Sequence, residues 1–339
     1  MSAASRFQLG AFATECGAEL PEAELSYRTY GALNSTGTNC VLLPSYYTGT
    51  HRSYDPWIGS DVAFDPADWF VVAVDMFGNG LSSSPSNTTD SACFPLVTVA
   101  DNVRAQRLLL DSLGVRSIAI AAGWSMGAMQ CYEWAVRFPD MVRSLLPICG
   151  SARCSEFNRV FLDGISATLR ADPGYLTSDC APTAGLRAFG IVYAGWAYSR
   201  DFFAHGTYRE LGYESVDAVL DGWADDHAAM HPGNLMAMLA TWRAADVGRS
   251  VPGGLASALA MIRAETIVMP GTTDAYFSLA DNVAECALIA GGEIRPIDSD
   301  LGHIAGRPGI RTRETAQVTA AAIIEYGCAS SAEGRKCSR

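Results

Sequence analysis

Ser117-Ile118-Ala119-Ile120-Ala121-Ala122-Gly123-Trp124-Ser125-Met126-Gly127-Ala128-Met129-Gln130 is the stretch that decides the fold. An apolar run of strand character, 117–122, leads directly into Gly-x-Ser-x-Gly, and a helix-compatible run, Met126 to Phe138, leaves it. As a bare pattern Gly-x-Ser-x-Gly occurs by chance. Between a strand and a helix it carries a mechanism. The serine then sits on a strained turn, the two glycines leave room for close backbone approach, and the hydroxyl stands clear of the sheet. Ser125 is therefore the candidate nucleophile, set against the plainer reading of a glycine-rich strand-to-helix turn.

Outward from this point, strands and helices alternate. Val41–Leu43 and Trp69–Val74 are strand candidates upstream, and Val99 to Leu113 is an amphipathic helix stopped by Gly114. Downstream come a strand within Val142–Ile148, a strand at Thr266–Met269 before Pro270-Gly271, a helix over Leu279–Ile289, a short strand at Glu293–Ile297 and a closing helix over Thr315–Tyr326. Such alternation implies an α/β fold, a mostly parallel sheet covered on both faces. From about Ser151 to Val251 the alternation stops and aromatic residues crowd in, from Phe157 and Phe161 to Trp223 and Trp242. The expected organisation is a core domain over 1–150 and 252–339, with a helical lid insertion over 151–251. Pro252-Gly253-Gly254 marks the return to the sheet.

A serine hydroxyl needs an adjacent base, itself oriented by a third group. Of the five histidines, only His303 falls between a late strand and the last helix, where the chain order Ser…Asp…His puts the base. Asp274, after the preceding strand, is the candidate acid. Asp298 and Asp300, beside the base itself, are its rivals. The oxyanion of a tetrahedral intermediate needs two backbone N–H donors. Met126 supplies the first, and Tyr47, in Ser45-Tyr46-Tyr47-Thr48-Gly49, is the candidate for the second.

Gly-x-Ser-Met-Gly-x-Met-Gln, with Glu133-Trp134-Ala135 and Pro139-Asp140 behind it, resembles the homoserine O-acetyltransferase branch of the α/β-hydrolase superfamily. Tyr27-x-x-Tyr30-Gly31, Thr48-Gly49, and Asp101-Asn102-Val103 with Ala105-Gln106 carry the same resemblance. It implies the α/β-hydrolase fold, a triad of Ser125, Asp274 and His303, and allows a homodimer through the insertion. Two departures matter. Homoserine-using members place an Asp directly after the catalytic His, where this chain has Ile304. They also place an Arg in a Phe-Asn-x-Val-x-Arg motif, where Phe157-Asn158-Arg159-Val160-Phe161-Leu162 ends in leucine. A buried zwitterion needs partners for both charges, because stranding an ion costs several kcal/mol. Arg159 and Asp163 are the candidates to compensate. Tyr46, Trp124, Phe161, Leu162 and Ile304 are the expected substrate-facing residues.

The leading expectation is thus an acyl-enzyme mechanism with water as acceptor, acting on a small, largely uncharged ester or thioester. The alternative is O-acyl transfer from an acyl-CoA such as acetyl-CoA to an alcohol, and the third reading is a non-catalytic hydrolase-fold binding protein. No cofactor or metal is expected: His227-x-x-x-His231 has helical metal spacing, but reads as a solvated acidic helix end. Charge narrows the field further. Lys and Arg total 24 against 36 Asp and Glu, a net −12 over 339 residues, which repels phosphate backbones and argues against nucleic acid. No run reaches the ~18 apolar residues of a membrane span. Ten scattered cysteines, without zinc spacing or an export signal, read as buried thiols of a soluble cytoplasmic protein.

Overall fold

A computed structural model describes residues 4–89, 94–176, 182–310, 313–314 and 316–318. Its strands and helices, in chain order, begin with β1 (Ser5–Ala13), β2 (Glu19–Tyr30), β3 (Cys40–Pro44), β4 (Phe70–Val74), α1 (Val99–Ser112), β5 (Ile118–Trp124), α2 (Met126–Arg137) and β6 (Val142–Ile148). Six helices follow: α3 (Glu156–Arg170), α4 (Pro173–Leu176), α5 (Thr183–Ala197), α6 (Arg200–Ala204), α7 (Val216–Ala228) and α8 (Pro232–Arg243). The described chain then continues with α9 (Gly254–Ala260), β7 (Glu265–Val268), α10 (Leu279–Cys286) and β8 (Glu293–Ile294).

The eight strands lie in the order β1-β2-β4-β3-β5-β6-β7-β8. From β4 to β8 every pairing is parallel, while β1 and β2 add an antiparallel edge. Every residue of β3, β4 and β5 is buried. Successive side chains of β3 enter opposite cores: Val41 and Leu43 pack on one face of the sheet, Cys40 and Leu42 on the other. Two covered faces explain why these strands read as unbroken apolar runs. Burying each Val or Ile contributes about 1.5–3 kcal/mol relative to exposure.

Helix α1 starts where its sequence can cap it. The Thr98 hydroxyl accepts the Asp101 N–H at 3.1 Å, and the Asp101 carboxylate accepts the Thr98 N–H at 2.9 Å. The antiparallel pair β1–β2 was not anticipated from sequence. Its strands face solvent on one side, so they show interrupted alternation instead of apolar runs, and β1 carries register shifts around Gly10. The closing helix expected over Thr315–Tyr326 falls, apart from 316–318, outside the described residues.

The strand order reverses between β3 and β5: the chain leaves β3 toward β4 on one side and later builds β5 on the other. Open parallel sheets form their crevice at such a switch, beyond the carboxyl ends of the strands. Two segments meet there, the loop after β3 (residues 45–50) and the turn between β5 and α2. Both belong to the candidate site.

Candidate active site

Ser125 is the N-cap of α2, with φ 58° and ψ −126°. A serine in that position ordinarily caps its helix through the side chain. Here the left-handed backbone turns the hydroxyl away and no capping bond forms. The turn can exist because of its glycines. A Cβ on Gly123 would lie 2.4 Å from the Gly127 carbonyl carbon, and one on Gly127 would lie 2.5 Å from the Pro44 carbonyl oxygen and 2.6 Å from the Tyr54 hydroxyl. The released Ser125 Oγ lies 2.9 Å from His303 Nε2.

His303 sits in a short 3₁₀ turn, Gly302–Gly306, and its Nδ1 lies 2.8 Å from Asp274 Oδ2. Nδ1–H donates to Asp274, which leaves Nε2 as acceptor of the Ser125 hydroxyl. The other carboxylate oxygen, Oδ1, accepts the N–H groups of Tyr276 (2.8 Å) and Phe277 (3.1 Å). Exposure of Ser125, His303 and Asp274 is 3, 2 and 6%. The rivals for the acid point elsewhere. Asp300 accepts the Thr207 hydroxyl, and exposed Asp298 faces Arg313 at 3.7 Å.

Rings enclose the imidazole. Trp124 stacks on it at 4.7 Å and 24°, and donates its Nε1–H to the His303 carbonyl at 3.2 Å. Tyr276 meets it edge-on at 4.7 Å, and Phe277 lies 5.5 Å away. Tyr46 packs edge-on against Trp124 at 4.5 Å. Phe161, fully buried on α3, touches Tyr193, Trp196, Trp242 and Tyr276. Leu162 and Ile304 are buried as well. The charges near the leucine are already engaged at the surface, Arg159 with Glu156 and Asp163 with Arg243. Neither of these two pairs supplies a buried counter-charge.

Tyr47 and Met126 belong to the two segments that meet at the switch point. Neither backbone N–H has an acceptor among the described residues. The Tyr47 ring is buried in the helical insertion, parallel to Tyr193 at 5.7 Å, with its hydroxyl donating to the Leu235 carbonyl at 3.4 Å. Burial pushes that hydroxyl well above the usual phenol range, so it stays protonated. Cys149, beside the acid, is likewise pushed up by burial and by the Asp274 carboxylate, which removes it as a competing thiolate.

His227 departs from its expected solvated position. It is buried between α5 and α7 against Phe189, Tyr193 and Trp223, with Nδ1 2.8 Å from the Trp223 carbonyl oxygen, and burial holds it below the usual imidazole range. The acidic residues beside it had suggested solvent, but helix α5 covers that turn. His231 instead caps α8. Among the described residues no group of three or more His, Cys, Asp or Glu is placed to hold a metal.

Sequence reading overlooked three supports. Asn158, on α3, donates to the Tyr276 carbonyl and accepts the Trp242 indole N–H at 3.3 Å, joining the insertion to the acid loop. His51 pairs with Asp75 through its Nδ1 at 2.6 Å and its backbone N–H at 2.7 Å, anchoring the end of the loop after β3. Gln130 accepts from Gln106 at 2.6 Å and donates to the Ser45 carbonyl at 2.8 Å. Each lies in a quoted motif or beside one, but only its partner, distant in sequence, shows its role.

Residues 41–177 match a family model described as alpha/beta hydrolase fold. An ethyl acetate hydrolase of Pseudomonas veronii is 38% identical, over 87% of this chain and 88% of its own length. A homoserine O-acetyltransferase of Thermobifida fusca is 30% identical, over 85% and 86%. The crystal structure of an acetylester hydrolase from Corynebacterium glutamicum superposes with a TM-score of 0.92 at 34% identity, covering 96% of each chain. Among the described residues no helix is long and apolar enough to cross a membrane.

Proposed function

The chain belongs to the homoserine O-acetyltransferase-like branch of the α/β-hydrolase superfamily, and we propose that within it the protein hydrolyses small, largely uncharged esters. It is an enzyme of the serine hydrolase and acyltransferase class. The observation that carries the proposal is the buried relay Ser125–His303–Asp274, with apolar Ile304 and Leu162 where an amino-acid acceptor would need charge.

In the proposed reaction Ser125 Oγ attacks the ester carbonyl carbon while His303 Nε2 takes the hydroxyl proton. The oxyanion forms toward the N–H groups of Met126 and Tyr47, and Asp274 stabilises the imidazolium. Collapse breaks the C–O bond, and His303 returns the proton to the departing alcohol, leaving an acyl ester on Ser125. Water then attacks with His303 as base, releasing the carboxylic acid and regenerating serine. The helical segment 151–251 acts as the lid, with Phe161, Tyr46 and Trp124 among the rings lining the pocket. We place the protein in the cytoplasm, where its free thiols at Cys40, Cys131, Cys149 and Cys286 stay reduced. Self-association as a homodimer belongs to the same proposal, and light scattering tests it.

The second reading, acyl transfer from acetyl-CoA to an alcohol, is supported by the likeness to a homoserine O-acetyltransferase. Product analysis by mass spectrometry separates the two. With ethyl acetate or p-nitrophenyl acetate the protein is expected to release free acetate without an acceptor. With acetyl-CoA and millimolar L-homoserine, rapid O-acetylhomoserine formation would overturn the hydrolase reading.

A further inference from the structure

We propose that Gln130 is a positioning residue of the oxyanion hole, tying the loop that carries the Tyr47 N–H to the first turn of α2, which carries the Met126 N–H. The proposal rests on the reading of Ser125 as nucleophile and of these two N–H groups as donors.

The two donors sit on separate segments, and both segments are strained. Thr48, directly after Tyr47, has φ 60°, and Ser125, directly before Met126, has φ 58°. Non-glycine residues in that region cost about 1–3 kcal/mol each and persist only where their surroundings over-determine them. One side of the loop is held by β4: the Ser45 N–H donates to the Val74 carbonyl at 2.8 Å, and the Ser45 hydroxyl accepts the Met76 N–H at 2.8 Å. Its far end is held by Asn79, whose amide donates to the Gly49 carbonyl at 3.2 Å. Tyr54 bridges the strand ends just below, donating to the Pro44 carbonyl at 2.8 Å and accepting the Trp124 N–H at 3.2 Å. None of these reaches α2.

Gln130 does. Its Nε2 donates to the Ser45 carbonyl at 2.8 Å and to the Met126 carbonyl at 3.3 Å, so one carboxamide spans both donor segments. Its orientation is fixed from behind: Gln130 Oε1 accepts Gln106 Nε2 at 2.6 Å, and Gln106 Oε1 accepts the Trp134 indole N–H at 2.7 Å. All three side chains are fully buried. A core that needed only stability could fill this volume with apolar groups, since a satisfied buried polar pair is worth little net. The relay ends instead on a carbonyl two residues from a donor N–H, which accounts for its chemistry as geometry control. Misplacing a catalytic group by about 1 Å can cost 100-fold in rate.

The test compares Gln130→Leu, Gln106→Leu and Ser125→Ala with the parent protein, by active-site-titrated kinetics on p-nitrophenyl acetate and by inhibition with an aryl trifluoromethyl ketone, which forms a tetrahedral serine adduct. Gln130→Leu is expected to lower kcat by about 10- to 100-fold, and to weaken the ketone by a similar factor, with KM shifted much less. Gln106→Leu should move both readouts in the same direction by less. A purely structural role would lower the melting temperature but leave kcat and ketone affinity per titrated site within about threefold, and that result overturns the proposal. If Gln130→Leu does not fold, Gln106→Leu carries the same decision by the same two readouts. Ser125→Ala separates the two levels: its inactivity alongside an unaffected Gln130→Leu refutes only the positioning role, whereas retained turnover in Ser125→Ala refutes the nucleophile reading.

Discussion

Replacing Glu285 by Gln is expected to stabilise the protein at alkaline pH and to do little in acid. Glu285 projects from α10 with 7% exposure, and its Oε2 accepts the Ala152 N–H at 2.9 Å. Burial pushes its carboxyl from 4.5 up to about 7, opposed in part by that N–H and by Arg153. In the folded chain the group keeps its proton until about pH 7, while the unfolded chain loses it from about 4.5, so stability falls as pH rises through that window. Integrated to pH 8, the gap amounts to about 3 kcal/mol. Unfolding entropy for a chain this long is about 0.7 kcal/mol/K, so Gln should raise the melting temperature by about 4 °C at pH 8 but only about 1 °C at pH 5. Glutamine keeps an oxygen for the Ala152 N–H, and its amide meets a cleft of about 190 Å³ shared with Ser151, Arg153 and Ser155. Paired thermal melts of variant and parent, in matched buffers at the two pH values, measure the difference. A gain independent of pH, or larger at pH 5, would refute the reasoning.

Further substitutions probe the site and the turn beneath it. Asp274→Asn should cut kcat on the order of 10³–10⁴-fold, because a carboxamide no longer selects the Nδ1–H tautomer of His303, whereas Asp300→Asn should stay within about threefold; steady-state kinetics on p-nitrophenyl acetate decide between them. Gly127→Ala forces a methyl against the Pro44 carbonyl and the Tyr54 hydroxyl, so it should cost about 2–4 kcal/mol by denaturant titration. Adding Tyr54→Phe should not restore that loss, since the backbone carbonyl still obstructs and the Pro44 carbonyl and Trp124 N–H lose their buried partner.

What the sequence disclosed depended on how locally each feature is encoded. The strand Ile118–Trp124, the turn at Ser125 and helix α2 are contiguous, so a short pattern with two glycines reveals them. Asp274 and His303 are distant from Ser125 in sequence, yet each has a fixed place relative to a strand, so chain order singled out side chains that the structure joins to Ser125 through hydrogen bonds. β1 and β2 escaped because a half-exposed antiparallel edge lacks the apolar runs of a buried parallel strand. Asn158 was visible in a motif but without a role, since its partner Tyr276 lies 118 positions away. His227 was misjudged for the same reason: acidic neighbours in sequence suggested solvent, and the covering rings come from another helix.

The helical segment between β6 and β7 holds the candidate site at two points, through Asn158 on the Tyr276 carbonyl and through the Tyr193 ring on Tyr47. One grip bears on the peptide groups that cradle the acid, the other on the donor loop. If residues 151–251 act as the proposed lid, grafting a foreign cap onto the sheet would not retune substrate preference as though cap and engine were interchangeable parts. A transplanted cap would have to supply both handholds, an amide at the acid loop and a flat ring at the donor loop. Without them it would alter which molecules enter and, at the same stroke, slacken the groups meant to act on them.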